Sequence, residues 1–165
     1  MKVDVGGGLV LRVEDRFKGR GTDRAPVLLL HGFTGSAEAW AEELLEGLAA
    51  RRRILAVDLP GHGGSDAPTG EGRMTLPSTA RGLVGLLDRM GVERASWIGY
   101  SMGGRVALGA AVLYPERVDR LVLESASPGL ATPEEREARR AQDEARAREL
   151  ESSGLEAFVD RWMAR

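Results

Sequence analysis

In the stretch Ala95-Ser96-Trp97-Ile98-Gly99-Tyr100-Ser101-Met102-Gly103-Gly104-Arg105-Val106-Ala107, an apolar run ends at a small residue, a serine follows two positions later, and a glycine pair opens a helical pattern. A serine held at so sharp a strand-to-helix turn sits in strained backbone, which calls for small residues two positions to either side. Gly99 and Gly103 meet that need, and Gly104 would let the following helix lie close to the sheet. The helix N-terminus also favours negative charge developing beside Ser101. A G-x-S-x-G string alone arises often by chance. The strand before it and the helix after it make Ser101 a candidate nucleophile rather than a structural turn serine.

Working outward, Val27-Leu28-Leu29-Leu30, Ile54 to Val57 and Leu121 to Leu123 are short continuous apolar runs, as in strands of a parallel sheet covered on both faces. Leu9 to Glu14 reads as a further strand after the Gly6-Gly7-Gly8 turn, and Arg16 to Pro26 as a polar connection. Helical patterns lie between. Ser36 is the expected N-cap of a helix presenting Trp40, Leu44, Leu45 and Leu48. A second helix starts near Ser78 with Leu83, Leu86, Leu87 and Met90 inward and Gly91 at its C-terminal cap. A third spans Gly103 to Leu113, presents Val106, Ala107, Ala110 and Ala111, and stops before Pro115. Strands alternating with helices predict a mostly parallel, three-layer α/β sheet.

After Pro133 the character changes. Glu134 to Glu151 alternates glutamate and arginine, with Glu135/Arg139 and Glu144/Arg148 at i,i+4, as on a solvated helix. Leu155, Phe158, Val159, Trp162 and Met163 then form an apolar helical stripe that is still running at Arg165.

The composition narrows the partners. With 42% hydrophobic and 29% charged residues, the 165-residue chain is globular and long enough for one domain with a core. Its 23 basic and 25 acidic residues leave a net charge of −2, which gives no electrostatic reason for a nucleic-acid or anionic-membrane partner. The absence of cysteine excludes disulfides, zinc–thiolate sites and thiol chemistry, and no metal or cofactor is expected. Met1 to Val5 lacks a basic-then-apolar signal, and no apolar run approaches the ~20 residues that cross a bilayer. A cytoplasmic location is expected.

Two further motifs flank the serine. His31-Gly32-Phe33-Thr34-Gly35 ends the first apolar strand, and Asp58-Leu59-Pro60-Gly61-His62-Gly63-Gly64-Ser65 ends the next. Together with the serine turn they resemble the α/β-hydrolase pattern. That pattern implies an oxyanion hole made by the backbone N–H groups of Phe33 and Met102. It also places the acid and the base after the serine in chain order, so His31 is expected to hold its loop and Asp58 and His62 to belong to a structural turn. His31 and His62 are the only histidines, and a serine hydroxyl without a base is a poor nucleophile at neutral pH. The expectation is a truncated enzyme: an N-terminal core part over residues 1–130 and the start of a helical cap over 131–165. The acid and base would lie in a continuation of roughly 90–110 residues.

Within that superfamily, Gly99 to Arg105 together with Leu121-Val122-Leu123-Glu124-Ser125-Ala126-Ser127-Pro128-Gly129-Leu130 resembles the 2-succinyl-6-hydroxy-2,4-cyclohexadiene-1-carboxylate synthases of menaquinone biosynthesis. The resemblance implies a carbon–oxygen lyase that removes a proton from a polycarboxylate small molecule and eliminates pyruvate. It implies Ser101 as the catalytic serine, with Tyr100, Arg105, Arg139 and Trp162 lining the substrate site. A guanidinium fork binds a carboxylate bidentately, which suits Arg105 one turn beyond the serine. Surface ion pairing is the competing reading for Arg105 and Arg139, and core packing the competing reading for Trp162. The rival functions are a carboxylic-ester hydrolase using the same turn and a non-catalytic small-molecule binder. The sequence leaves the oligomeric state open.

Overall fold

The structure, a computed structural model, describes residues 1–17 and 24–164. Among them β1 (Lys2–Asp4), β2 (Val10–Arg16), β3 (Val27–Leu30), β4 (Ile54–Val57), β5 (Ala95–Tyr100) and β6 (Val118–Glu124) form one sheet in the order β1-β2-β4-β3-β5-β6. β1/β2 and β2/β4 run antiparallel, and β4, β3, β5 and β6 run parallel. The expected polar connection from Arg16 to Pro26 falls in part on residues 18–23, outside the described residues.

Full burial of β3 and β4 makes the three layers. Leu28, Leu30, Leu55 and Val57 point to one face, where they meet Leu83, Leu86 and Leu87 of α2 (Leu76–Arg89) and Val106 and Ala110 of α3 (Met102–Leu113). Val27, Leu29, Ile54 and Ala56 point to the other, against Leu45 and Ala49 of α1 (Glu42–Ala49). Each buried leucine or isoleucine contributes about 1.5–3 kcal/mol relative to exposure, so the alternation of faces dictates helices on both sides. Trp97 is fully buried and its indole N–H donates to the Arg117 carbonyl at 3.2 Å. β6 is the last strand in the order, and Val122 and Leu123 are exposed on it.

Several boundaries differ from the sequence reading. Ser36 caps only a 3-10 turn, Ala37–Ala39, by accepting the Glu38 N–H, and Trp40 returns to extended backbone before α1 begins. α2 starts at Leu76 rather than Ser78, because Thr75 accepts the Ser78 N–H and Pro77 sits in the first turn where its missing N–H costs nothing. Strand β1, which the sequence reading did not contain, pairs with β2 across the glycine turn. Ala111 is only partly buried.

The chain divides into two compact units, Met1–Ser127 and Pro128–Arg165. In the second, α4 (Pro133–Ser153) opens with a capping box in which Thr132 accepts the Glu135 N–H and Glu135 accepts the Thr132 N–H. Glu135 is thereby engaged at the cap, and the expected Glu135/Arg139 pair gives way to Arg139/Asp143. The Glu144/Arg148 pair is present at 3.9 Å. Gly154, with φ 80°, breaks the helix before α5 (Leu155–Met163), whose Phe158 is buried while Leu155 and Met163 are exposed. No helix among the described residues is long and apolar enough to cross a membrane.

Candidate active site

Ser101 is the single residue between β5 and α3, with φ 50° and ψ −108°. Left-handed backbone at a non-glycine residue is strained and persists only where its surroundings hold it. Three backbone hydrogen bonds do so. The Ser101 N–H donates to the Glu124 carbonyl at 2.8 Å, the Arg105 N–H to the Ser101 carbonyl at 3.1 Å, and the Gly103 N–H to the His31 carbonyl at 3.1 Å. Close approach of backbones, more than conformational freedom, is what the flanking glycines supply. A Cβ on Gly99 would lie 2.5–2.6 Å from backbone atoms of Gly103 and Gly104, and one on Gly103 would lie 2.5 Å from the Leu30 carbonyl carbon. Met102 opens α3, so its N–H is among the first-turn donors without an intrahelical acceptor.

The loop after β3 is anchored by His31, which is 1% exposed. Its Nε2 accepts the Leu59 N–H at 3.0 Å, which assigns the proton to Nδ1, 2.7 Å from the Gly32 carbonyl. Burial pushes the His31 pKa below its ordinary value, against the opposing pull of the Gly32 carbonyl. With both nitrogens engaged, His31 ties the β3 loop to the β4 loop. His62 directs Nδ1 to the Pro60 carbonyl at 3.1 Å, and its ring lies 5.1 Å from His31 and edge-on to Phe33 at 6.0 Å.

Asp58 has a larger structural part than a turn residue would. Fully buried, its carboxylate accepts the Ala37 N–H at 2.6 Å and the Gly64 N–H at 2.8 Å, with Arg12 Nη1 3.4 Å away. It thus joins the loops after β3 and β4. The one sequence signal for this was an acid placed directly after a buried strand. The Glu124-Ser125-Ala126 turn that touches the serine elbow carried no such signal.

The structure brings Tyr100 and Ser101 against the Phe33 loop, and Met102 and Arg105 follow in the first turn of α3. Gly32 packs so closely that a Cβ there would lie 2.7 Å from the Tyr100 ring and 3.6 Å from the Ser101 Cβ. Phe33 and Tyr100 are each 45% exposed. Arg105 is exposed and has no ion-pair partner among the described residues. Arg139 and Trp162 belong to the second unit. Arg139 Nε donates to both oxygens of Asp143 at 2.9 and 2.8 Å, and Asp143 also accepts from Arg146. Trp162 stacks on Phe158 with centroids 6.1 Å apart, and the Arg146 guanidinium lies 5.6 Å from the Trp162 ring. These contacts fit the ion-pairing and packing readings of the two residues.

A mostly parallel sheet with a strained serine at the β5–α3 turn defines a class. The chain belongs to the α/β-hydrolase fold family, whose model matches residues 25–160. Within it, the chain is 42% identical over 136 residues to a Bacillus subtilis (strain 168) protein carrying the name "Putative 2-succinyl-6-hydroxy-2,4-cyclohexadiene-1-carboxylate synthase", covering 82% of this chain and 49% of that protein. That similarity bears out the resemblance read from the sequence. It is also 40% identical over 126 residues to a 2-hydroxy-6-oxononadienedioate/2-hydroxy-6-oxononatrienedioate hydrolase of Paraburkholderia phymatum, covering 74% of this chain and 43% of that one. Among solved structures, the enol-lactonase from Burkholderia xenovorans LB400 superposes with a TM-score of 0.82 at 26% identity, over 98% of this chain and 58% of that one. The chain spans half or less of the length of these curated relatives.

Proposed function

We propose that this chain forms the serine-bearing part of a carbon–oxygen lyase of menaquinone biosynthesis. The reaction eliminates pyruvate from 2-succinyl-5-enolpyruvyl-6-hydroxy-3-cyclohexene-1-carboxylate to give 2-succinyl-6-hydroxy-2,4-cyclohexadiene-1-carboxylate. The observation that carries the reading is the strained Ser101 with an exposed Arg105, without an ion-pair partner among the described residues, one helical turn on, in a chain 42% identical to a protein of that name. An acidic substrate needs such a cation, and a fork-shaped one orients a carboxylate as well as attracting it.

In this reading Ser101 relays a ring C–H proton to a histidine base, and negative charge gathers on the conjugated succinyl carbonyl oxygen. The N–H groups of Phe33 and Met102 stabilise that oxygen. The C–O bond to the enolpyruvyl group then breaks, the ring diene forms, and the leaving enolate takes up a proton to become pyruvate. His31 is committed on both nitrogens, and in this fold the acid and the base follow the serine in chain order, so on this proposal neither His31 nor His62 is the base. Tyr100 and Arg105 line the substrate site. The resemblance alone assigns substrate-binding roles to Arg139 and Trp162, and the enzyme functions in the cytoplasm without a cofactor.

The hydrolase named among the relatives favours a second reading, hydrolysis of a carboxylic ester by the same serine. Pyruvate release and hydrolysis of a neutral nitrophenyl ester, measured side by side on the complete protein, separate the two. Arg105→Ala is expected to remove a charge-assisted contact of ~1.5–3 kcal/mol, or roughly 10- to 150-fold in kcat/KM, for the acidic substrate only. Arg105→Lys should recover part of it, because an ammonium lacks the planar fork. Equal losses on both substrates would make Arg105 structural and remove the main support for the lyase.

A further inference from the structure

The serine elbow is held on its β3 side by the His31 carbonyl. Its other side rests on the turn that follows β6, and that turn has an unusual backbone. Ser125 adopts φ 50°, the same left-handed value as Ser101, so two adjacent parallel strands both end in a strained serine. Immediately before it, the Glu124 carbonyl accepts the Ser101 N–H at 2.8 Å. Immediately after it, Ala126 lies against α3 where Gly104 leaves room, so that a Cβ on Gly104 would be 2.6 Å from the Ala126 Cβ. The two residues that flank Ser125 therefore meet the elbow, one at its first N–H and the other at the first turn of its helix.

We infer that Glu124-Ser125-Ala126 is a positioning element that sets the backbone of Ser101. The hydrogen bond from the Ser101 N–H fixes the peptide plane that precedes Ser101, and that plane together with the α3 axis determines where its side chain points. The Glu124 carbonyl reaches that N–H, and Ala126 reaches Gly104, only if the chain reverses sharply between them, which the left-handed Ser125 accomplishes. The Ser125 side chain is exposed, so its part is played through the backbone rather than through packing. This inference rests on Ser101 being the reactive serine.

A backbone role predicts an ordered response to substitution. Glycine adopts positive φ without strain, whereas a β-branched residue there is a steric outlier. In the complete protein, with a fluorophosphonate ester as the probe, Ser125→Gly should be labelled at Ser101 within about twofold of the parent rate. Ser125→Val should be slowed roughly 10- to 100-fold, the scale expected when reacting groups shift by about 1 Å. The comparison is made on folded protein, checked by circular dichroism and gel filtration, and peptide mapping locates the label. A merely structural turn would lower the melting temperature of Ser125→Val while leaving the labelling rate of the folded protein unchanged, and that result overturns the inference. A parent protein labelled elsewhere than Ser101 overturns both the inference and the reading beneath it. Labelling at Ser101 with equal rates for all three proteins overturns the inference alone.

Discussion

Gly103→Ala tests the closest approach of main chain to any of the described glycines. The added methyl would meet the Leu30 carbonyl, with its carbon at 2.5 Å, and the His31 oxygen at 2.6 Å. Both are main-chain atoms of a fully buried strand and its loop, so neither can rotate aside. Ordinary carbon contacts lie at about 3.5–4.0 Å, so α3 must retreat by about 1 Å. That displacement stretches the 3.1 Å bond from the Gly103 N–H to His31 and carries Ser101 with it. Overpacking of this kind costs typically ~1–3 kcal/mol in stability. The same 1 Å, applied to a reacting group, costs about 100-fold in rate. Gly47→Ala provides the contrast, because Gly47 lies inside α1 and a Cβ there meets nothing within 4 Å. It should stabilise by roughly 0.5–1 kcal/mol through the unfolded chain and the helix. Urea unfolding of the two variants beside the parent reads both effects. A Gly103→Ala protein within about 0.5 kcal/mol of the parent, smaller than any overpacking cost, would show that the elbow is not closed as described.

Two further outcomes follow from the loops behind the serine. Because burial lowers the pKa of His31, the folded state binds fewer protons than the unfolded one below pH ~6.5. The stability it confers is therefore complete above that pH and is lost as pH falls toward the folded value, at a slope of at most about 1.4 kcal/mol per pH unit. Urea midpoints from pH 8 to 5 should show this fall, and His31→Gln should flatten it; an identical fall in the variant assigns it to other groups. Asp58→Asn replaces one acceptor oxygen by a donor facing the Ala37 or Gly64 N–H, and should cost about 1.5–3 kcal/mol in the same assay. No measurable change would mean that the carboxylate does not join the two loops.

The buried centre of the sheet was legible residue by residue. Val27–Leu30 and Ile54–Val57 match the expected strands, since unbroken apolar tetrads can be satisfied only by burial on both faces. The elbow was legible for a related reason: Gly99, Ser101 and Gly103 leave few alternatives between a strand and a helix. What escaped depends on partners far away in the chain. β1 is three residues with one buried side chain and exists through its pairing with β2. α1 begins late because the Asp58 carboxylate, 21 positions downstream, captures the Ala37 N–H and holds Ser36 to Trp40 in a tight turn. Glu135 was read along the helix as a partner of Arg139, but at the third position of a helix capped by threonine the backbone N–H groups are nearer. The β6 end that supports Ser101 could not be read locally either, because its part is played by a main-chain carbonyl and a backbone angle.

Pyruvate release by Ser101→Ala in the complete protein measures most directly whether Ser101 acts chemically, at its strained position, on an acidic substrate. If Ser101 relays the proton, single-turnover release should fall by about 10²–10⁴-fold, the usual contribution of a positioned acid–base group. The dissociation constant for the substrate should stay within a few-fold of the parent, because the proposed substrate contacts of Arg105 and Tyr100 are untouched by the substitution. Pyruvate release at the parental rate would contradict the account.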